Sequence, residues 1–237
     1  MKRVILASTS SLYGEPYLDY LKLEVAWLFS GVSELLFVPY ARPGGISHDQ
    51  YTQNAADFFS KLGIAVKGLH QFANPSEAIT NAQAIFTGGG NTFLLVKQLH
   101  DQQLMGLMKA AVESGVPYLG TSAGSNIGGM NMQNTNDMPI VYPPTFETMG
   151  IVPFNINAHY LDPDPNSRHN GETRETRIKE FHVFNNIPVI GLREGSWIKV
   201  EAESVSTEGR FSSRIFLPGL EAVEYEPGRS LSFSVYI

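Results

Sequence analysis

Residues Pro117–Asn126 read PYLGTSAGSN. Pro117–Gly120 is a short apolar run. Gly120-Thr121-Ser122-Ala123-Gly124 overlaps its end, fits G-x-S-x-G, and leads into a short helix-compatible stretch. A strand that passes through a tight turn into a helix is the junction of a parallel strand with its crossover, and it is the setting of a nucleophile elbow. Similar apolar runs stand upstream at Val4–Ala7, Leu35–Tyr40, Ala65–Leu69 and Ala84–Thr87. They are rich in Val, Ile, Leu and Phe without a polar face, as strands covered on both sides are.

Helical patterns fill the gaps. Tyr51, Ala55, Phe58, Phe59 and Leu62 share one helix face, which Gly63 ends. Phe93–Leu99 and Leu104–Val112 are further amphipathic segments. Strands alternating with helices predict an α/β fold: a mostly parallel sheet with right-handed crossovers. From Ile187 onward, Val189–Leu192, Trp197–Val200, Arg214–Leu217 and Ala222–Tyr225 are separated by tight turns. They are expected as antiparallel edge strands of the same sheet, in one catalytic domain spanning residues 1–237.

The composition narrows the function classes. Of 237 residues, 43% are hydrophobic and 17% charged, which excludes disorder as the main state. The formal charge of -6, with no basic run, makes nucleic acid and anionic membranes poor partners. With 0 cysteines, thiolate chemistry and disulfides are excluded. No apolar run approaches the roughly 20 residues of a membrane span, and Val4–Ala7 is shorter than the apolar core of an export signal. The expected location is cytoplasmic.

Three groups of residues carry chemistry. Ser122 is the candidate nucleophile, with small neighbours for close backbone approach and a helix N-terminus beside it. Gly88-Gly89-Gly90-Asn91 follows the strand ending at Thr87 and forms a backbone nest for an anion. Gly89 or Gly90, together with Ala123, are the candidate oxyanion donors. No phosphate-loop motif accompanies the glycines, so a nucleotide is disfavoured.

A serine needs a base. Of six histidines, His48, His100 and His182 read as surface or structural residues of helices, and His70 and His169 carry no signal. His159 closes the alternating strand pattern of Phe154, Ile156 and Ala158. Two acids stand out as partners for it: Glu194, just beyond Val189–Leu192, and Asp137, in a polar loop. Gly171–Phe181 reads as a helix whose inward stripe, set by Ile178 and Phe181, includes Arg174. An inward arginine requires a carboxylate, either internal or on a substrate.

Taken together, these residues resemble the peptidase E family of aspartyl dipeptidases. The resemblance rests on IFTGGGNTF at Ile85–Phe93, GTSAGSN at Gly120–Asn126, TNDMPIV at Thr135–Val141 and INAH at Ile156–His159. It continues through GETRE at Gly171–Glu175 and IGLREG at Ile190–Gly195. It implies a fold like the class I glutamine amidotransferases, with helices on both sheet faces. It also implies metal- and cofactor-free hydrolysis of dipeptides with an N-terminal aspartyl residue. By the same resemblance Ser122 is the nucleophile, His159 the base and Arg174 the reader of the substrate carboxylate. The third catalytic position falls on Glu194 or Asp137; Glu194 is favoured as orienter, with Asp137 shaping the pocket. Thr121 departs from the Trp common in bacterial relatives, which would alter the pocket wall. The expected partner is a small acidic peptide, and the chain is expected as a monomer or homodimer. The competing readings are a cyanophycinase-like aspartyl hydrolase and a non-catalytic binder of acidic metabolites.

Overall fold

The computed structural model describes residues 1–164, 166, 168 and 170–231. The first half alternates as its sequence predicts: β1 (Arg3–Ala7), α1 (Lys22–Leu28), β2 (Glu34–Val38), α2 (His48–Phe59), β3 (Ala65–Gly68), α3 (Pro75–Thr80), β4 (Ile85–Thr87), α4 (Thr92–Asp101), α5 (Met105–Glu113), β5 (Tyr118–Thr121) and α6 (Ala123–Asn126). β6 (Asn155–Ala158) and α7 (Arg174–Phe181) follow, then β7 (Val189–Leu192), β8 (Ser196–Glu201), β9 (Ser204–Gly209), β10 (Ser213–Phe216), β11 (Val223–Tyr225) and β12 (Arg229–Ser230).

The large sheet has the order β12-β9-β8-β1-β5-β4-β2-β3. Strands β1 to β5 are mutually parallel, and β8, β9 and β12 extend the sheet antiparallel beside β1. Strand alternation divides the core. Ile5 and Ala7 pack with Leu35, Phe37, Phe86 and Leu119 under α1 and α2. Val4 and Leu6 pack on the opposite face with Leu36, Val38 and Ile85, beneath α4 and α5. Each of these large apolar side chains contributes about 1.5–3 kcal/mol by leaving water. No helix among the described residues is long and apolar enough to cross a membrane.

The C-terminal third departs from expectation. Only β8, of the four strands anticipated there, joins the large sheet. β7, β10 and β11 form a second sheet with β6, in the order β11-β10-β7-β6, and β6 and β7 are parallel. A four-residue apolar run fits either sheet, and its partner is a long-range choice. The switch occurs at Arg193-Glu194-Gly195, where Gly195 (φ 91°) turns the chain from β7 into β8. The second sheet packs Ile156, Ile190 and Leu192 into the same core as α4 and α5. Its other side, with Val189 and Phe216, holds Ile178 of α7.

A chain of ion pairs ties the second sheet together. Arg193 is bidentate to Asp162, with Nε and Nη2 each at 2.7 Å, and also donates to Glu224 at 2.8 and 2.9 Å. Arg214 donates to Glu224 at 3.0 Å and to Glu175 at 2.9 Å, and Lys179 meets Glu175 at 2.9 Å. Hydrogen bonding from Arg193, supported by Ser212 and Arg214, holds the Glu224 carboxyl down to about 2 against partial burial. A depressed carboxyl stabilises the fold fully above its ordinary value of 4.5, and that contribution is lost as pH falls through about 2. Thermal melting in wild type should therefore weaken across this window more steeply than in Glu224→Gln. Parallel acid limbs in a pH series of melting temperatures would rule this out.

Candidate active site

Strand β5 delivers Ser122 in an unusual backbone conformation, φ 53° and ψ −113°. A non-glycine residue there costs on the order of 1–3 kcal/mol and persists only where its surroundings fix it. Here Ser122 N–H donates to Ala7 O at 3.0 Å, and the N–H groups of Ser125 and Asn126 donate to Ser122 O, each at 2.9 Å. The turn is packed as tightly as its motif requires. A Cβ on Gly124 would stand 2.1 Å from Thr87 O. Because α6 has only four residues, its dipole is small; what it offers the site is the individual N–H of Ala123. Thr121 is wholly buried, so it lines no open pocket wall as the sequence suggested.

Strand β6 ends at Ala158, and His159 also takes a positive φ, 56°. Its Nε2 lies 2.9 Å from Ser122 Oγ and its Nδ1 2.6 Å from Glu194 Oε1. With the proton on Nδ1, His159 donates to Glu194 and accepts from Ser122. Ser8 fixes the backbone that carries this ring: its hydroxyl accepts the main-chain N–H of His159 at 2.9 Å and donates to Leu192 O at 2.8 Å. Asn136 Nδ2 donates to Ala158 O at 2.7 Å, and Asn157 Nδ2 to Asn134 O at 2.6 Å. Sequence reading passed over Ser8 and these asparagines. The signal for Ser8 was its place directly after β1, at the sheet edge that carries Ser122.

The other histidines stand apart from Ser122. His70 pairs with Asp49 at 2.8 Å and stacks near His48, while His100 and His182 bond backbone carbonyls. His169 lies outside the described residues.

Gly89 faces the nucleophile so closely that a Cβ there would stand 2.9 Å from Ser122 Cβ. Its carbonyl accepts from the Tyr51 hydroxyl at 3.1 Å. The N–H groups of Gly89, Gly90 and Ala123 make no hydrogen bond to a described residue. Of these, Gly89 stands against Ser122 and Ala123 directly follows it.

Asp137 does not meet His159. Its Oδ2 accepts from Thr92 N–H at 2.7 Å and the Thr135 hydroxyl at 3.0 Å, at the start of α4. Asn91 Nδ2 donates to Met138 O at 2.8 Å and pins the same loop to the glycine nest. Arg174 is the first residue of α7; Gly171–Thr173 precede the helix, with Thr173 as its cap. The arginine is half-buried and has no hydrogen bond or ion pair to a described residue. Burial and neighbouring Arg177 lower its pKa, and Asp137 acts against them. Arg174 and Arg177 line a cavity of about 430 Å³ with Leu161, Asp162, Pro163 and Thr173. A second cavity, of about 420 Å³, opens beside Glu34, Leu36 and Phe72, at the amino-terminal end of β2 and away from this edge. No group of three or more His, Asp or Glu side chains among the described residues is arranged to hold a metal ion.

A serine in an elbow, an imidazole between it and a carboxylate, and free N–H groups beside it define a serine hydrolase on an α/β scaffold. Comparison with known proteins carries this further. Peptidase family S51 matches residues 4–207. A Streptomyces coelicolor protein named peptidase E is 43% identical over 229 residues, covering 97% of this chain and 93% of that one. A Drosophila melanogaster protein named probable alpha-aspartyl dipeptidase is 41% identical over 235 residues, covering 98% and 97%. The crystal structure of a peptidase from an acI-B1 actinobacterium superposes with a TM-score of 0.74 at 18% identity, covering 98% of this chain and 97% of that one. The chain belongs to peptidase family S51.

Ser8→Ala removes a wholly buried hydroxyl and strands two backbone groups. The expected loss is about 1–3 kcal/mol in urea unfolding. A loss below about 0.5 kcal/mol would mean that the hydroxyl carries little of the junction.

Proposed function

We propose that the protein is a serine dipeptidase that releases N-terminal aspartate from Asp-X peptides. The observation that carries this reading is Arg174: half-buried at a helix start, where a cation is disfavoured, and without a described partner. A substrate side-chain carboxylate satisfies it through a bidentate pair. Asp137, electrostatically coupled to Arg174, supplies the complementary charge for the substrate's α-ammonium.

In this reading, Ser122 Oγ attacks the carbonyl carbon after the aspartyl residue while His159 Nε2 takes its proton. Glu194 holds the opposite nitrogen and stabilises the imidazolium. The N–H groups of Ala123 and Gly89 or Gly90 receive the oxyanion. His159 then gives its proton to the departing amine, and water, activated by the same imidazole, releases aspartate from the acyl-enzyme. A non-catalytic binder has no use for hydrogen-bonded Ser122, His159 and Glu194. The reading includes the cytoplasmic location and small acidic substrate expected from the sequence.

Three measurements test it. Ser122→Ala should abolish release of aspartate from an Asp-X dipeptide, by a factor on the order of 10⁶, with the fold intact. Glu194→Gln should lower kcat more than Asp137→Asn, whose main effect should fall on KM; the reverse order would make Asp137 the orienter. Arg174→Met should erase most of a preference for Asp-X over Asn-X of roughly ten- to a hundredfold. An unchanged ratio of kcat/KM values would place selectivity elsewhere.

A further inference from the structure

The ion pairs of the second sheet touch the site at three places along the chain. Asp162 follows His159 by three residues, Arg193 immediately precedes Glu194, and Glu175 immediately follows Arg174. We propose that the chain Asp162–Arg193–Glu224–Arg214–Glu175 positions the catalytic groups, with Arg193 as its pivot. This rests on the reading that His159, Glu194 and Arg174 act on the substrate.

Arg193 is built for such a role. Its side chain is only 18% exposed. Its guanidinium spans the loop after β6 through Asp162, strand β11 through Glu224, and the loop before β10 through Ser212 O at 2.7 Å. Asp162 and Arg193 thereby close a second link between the ends of β6 and β7. The first is the Tyr160 N–H donating to Leu192 O at 3.0 Å. His159 directly precedes one side of that closed loop and Glu194 directly follows the other, so their 2.6 Å contact depends on the relative height of the two strand ends.

Through Glu224, Arg214 and Glu175, the chain reaches the first turn of α7, where Arg174 sits. Asp162, Glu224 and Glu175 are matched by Arg193, Arg214 and Lys179, with the exposed Glu221 4.0 Å from Lys179 at the rim, so the charge of the cluster is close to balanced. Its influence on the site is geometric. The planar fork of arginine is what lets one residue hold two carboxylates at once, and lysine cannot reproduce it.

A positioning role and a merely structural one differ in what they move. A structural role alone shows as a change in folded fraction, whereas misplacing a catalytic group by about 1 Å costs up to about a hundredfold in rate. With an Asp-X dipeptide, Arg193→Lys should lower kcat by roughly ten- to a hundredfold while KM stays within about threefold. Asp162→Asn should act in the same direction. Arg214→Met, at the far end, should instead raise KM by about fivefold or more and shrink the Asp-X preference, leaving kcat nearly unchanged.

Melting temperatures and circular dichroism give the folded fraction. The downfield proton resonance of the His159–Glu194 hydrogen bond supplies a readout independent of turnover; it should weaken in Arg193→Lys and persist in Arg214→Met. The proposal is overturned if Arg193→Lys and Asp162→Asn both keep kcat within about twofold. It is equally overturned if activity falls only in proportion to the folded fraction, or if the downfield resonance is unaffected. A wild-type protein inert toward Asp-X would refute the proposed substrate, and the resonance would still judge the positioning role.

Discussion

The hydroxyl of Ser8 accepts the N–H of His159 and donates to the carbonyl of Leu192. It sits directly after β1, in the large sheet, and both partners belong to the small one. Ser122 comes from the large sheet, whereas His159 and Glu194 come from the ends of β6 and β7. No single element carries the site, so its geometry is the geometry of the seam between two sheets. Every hydrogen bond across that seam bears on the 2.9 Å separation between serine and imidazole. The wholly buried Ser8 can serve there because both its donor and acceptor capacity are used.

Much of this was legible in the sequence where local chemistry decides the structure. Continuous apolar runs gave β1 to β5 within a residue or two, because strands covered on both faces leave no polar alternation to misread. The G-x-S-x-G turn was legible because its glycines meet backbone atoms at distances no side chain permits. The small sheet was not legible. Val189–Leu192 and Arg214–Leu217 look like edge strands of any sheet, and which partner they choose depends on where the chain turns at Gly195. The same limit hid Ser8, whose role exists only once residues 151 positions apart are brought together. Glu194 is favoured over Asp137 in the sequence by its place just after a strand, and β6 and β7 lying side by side bring it to His159.

The chain order of the hydrogen-bonded set, serine then histidine then glutamate, differs from the serine, acid, histidine order of α/β-hydrolases. Such sets are defined by distances and roles, and the order merely records which strand ends were available. Here the large sheet supplies one strand end, and two adjacent parallel strands of the small sheet supply the others. The charged groups nearby divide by partnership. Arg193, Arg214 and Lys179 are matched by acids, while Arg174 stands without a described partner although the chain carries a net charge of -6. Among the described residues, Arg174 is therefore the nearby arginine to which the proposed substrate carboxylate corresponds.

Ser122 and His159 both hold backbone angles that their own local preferences oppose, φ 53° and 56°. Ser122 is kept there by Ala7 O of β1 and by the N–H groups of Ser125 and Asn126, and His159 by the hydroxyl of Ser8 across the seam. The Ser122 angle is held within the large sheet, whereas the His159 angle is held across the seam by Ser8, so the site is complete only where the two sheets meet. Loosening of that seam would therefore part catalysis from secondary structure: His159 and Glu194 would leave Ser122 while each sheet kept its own strands.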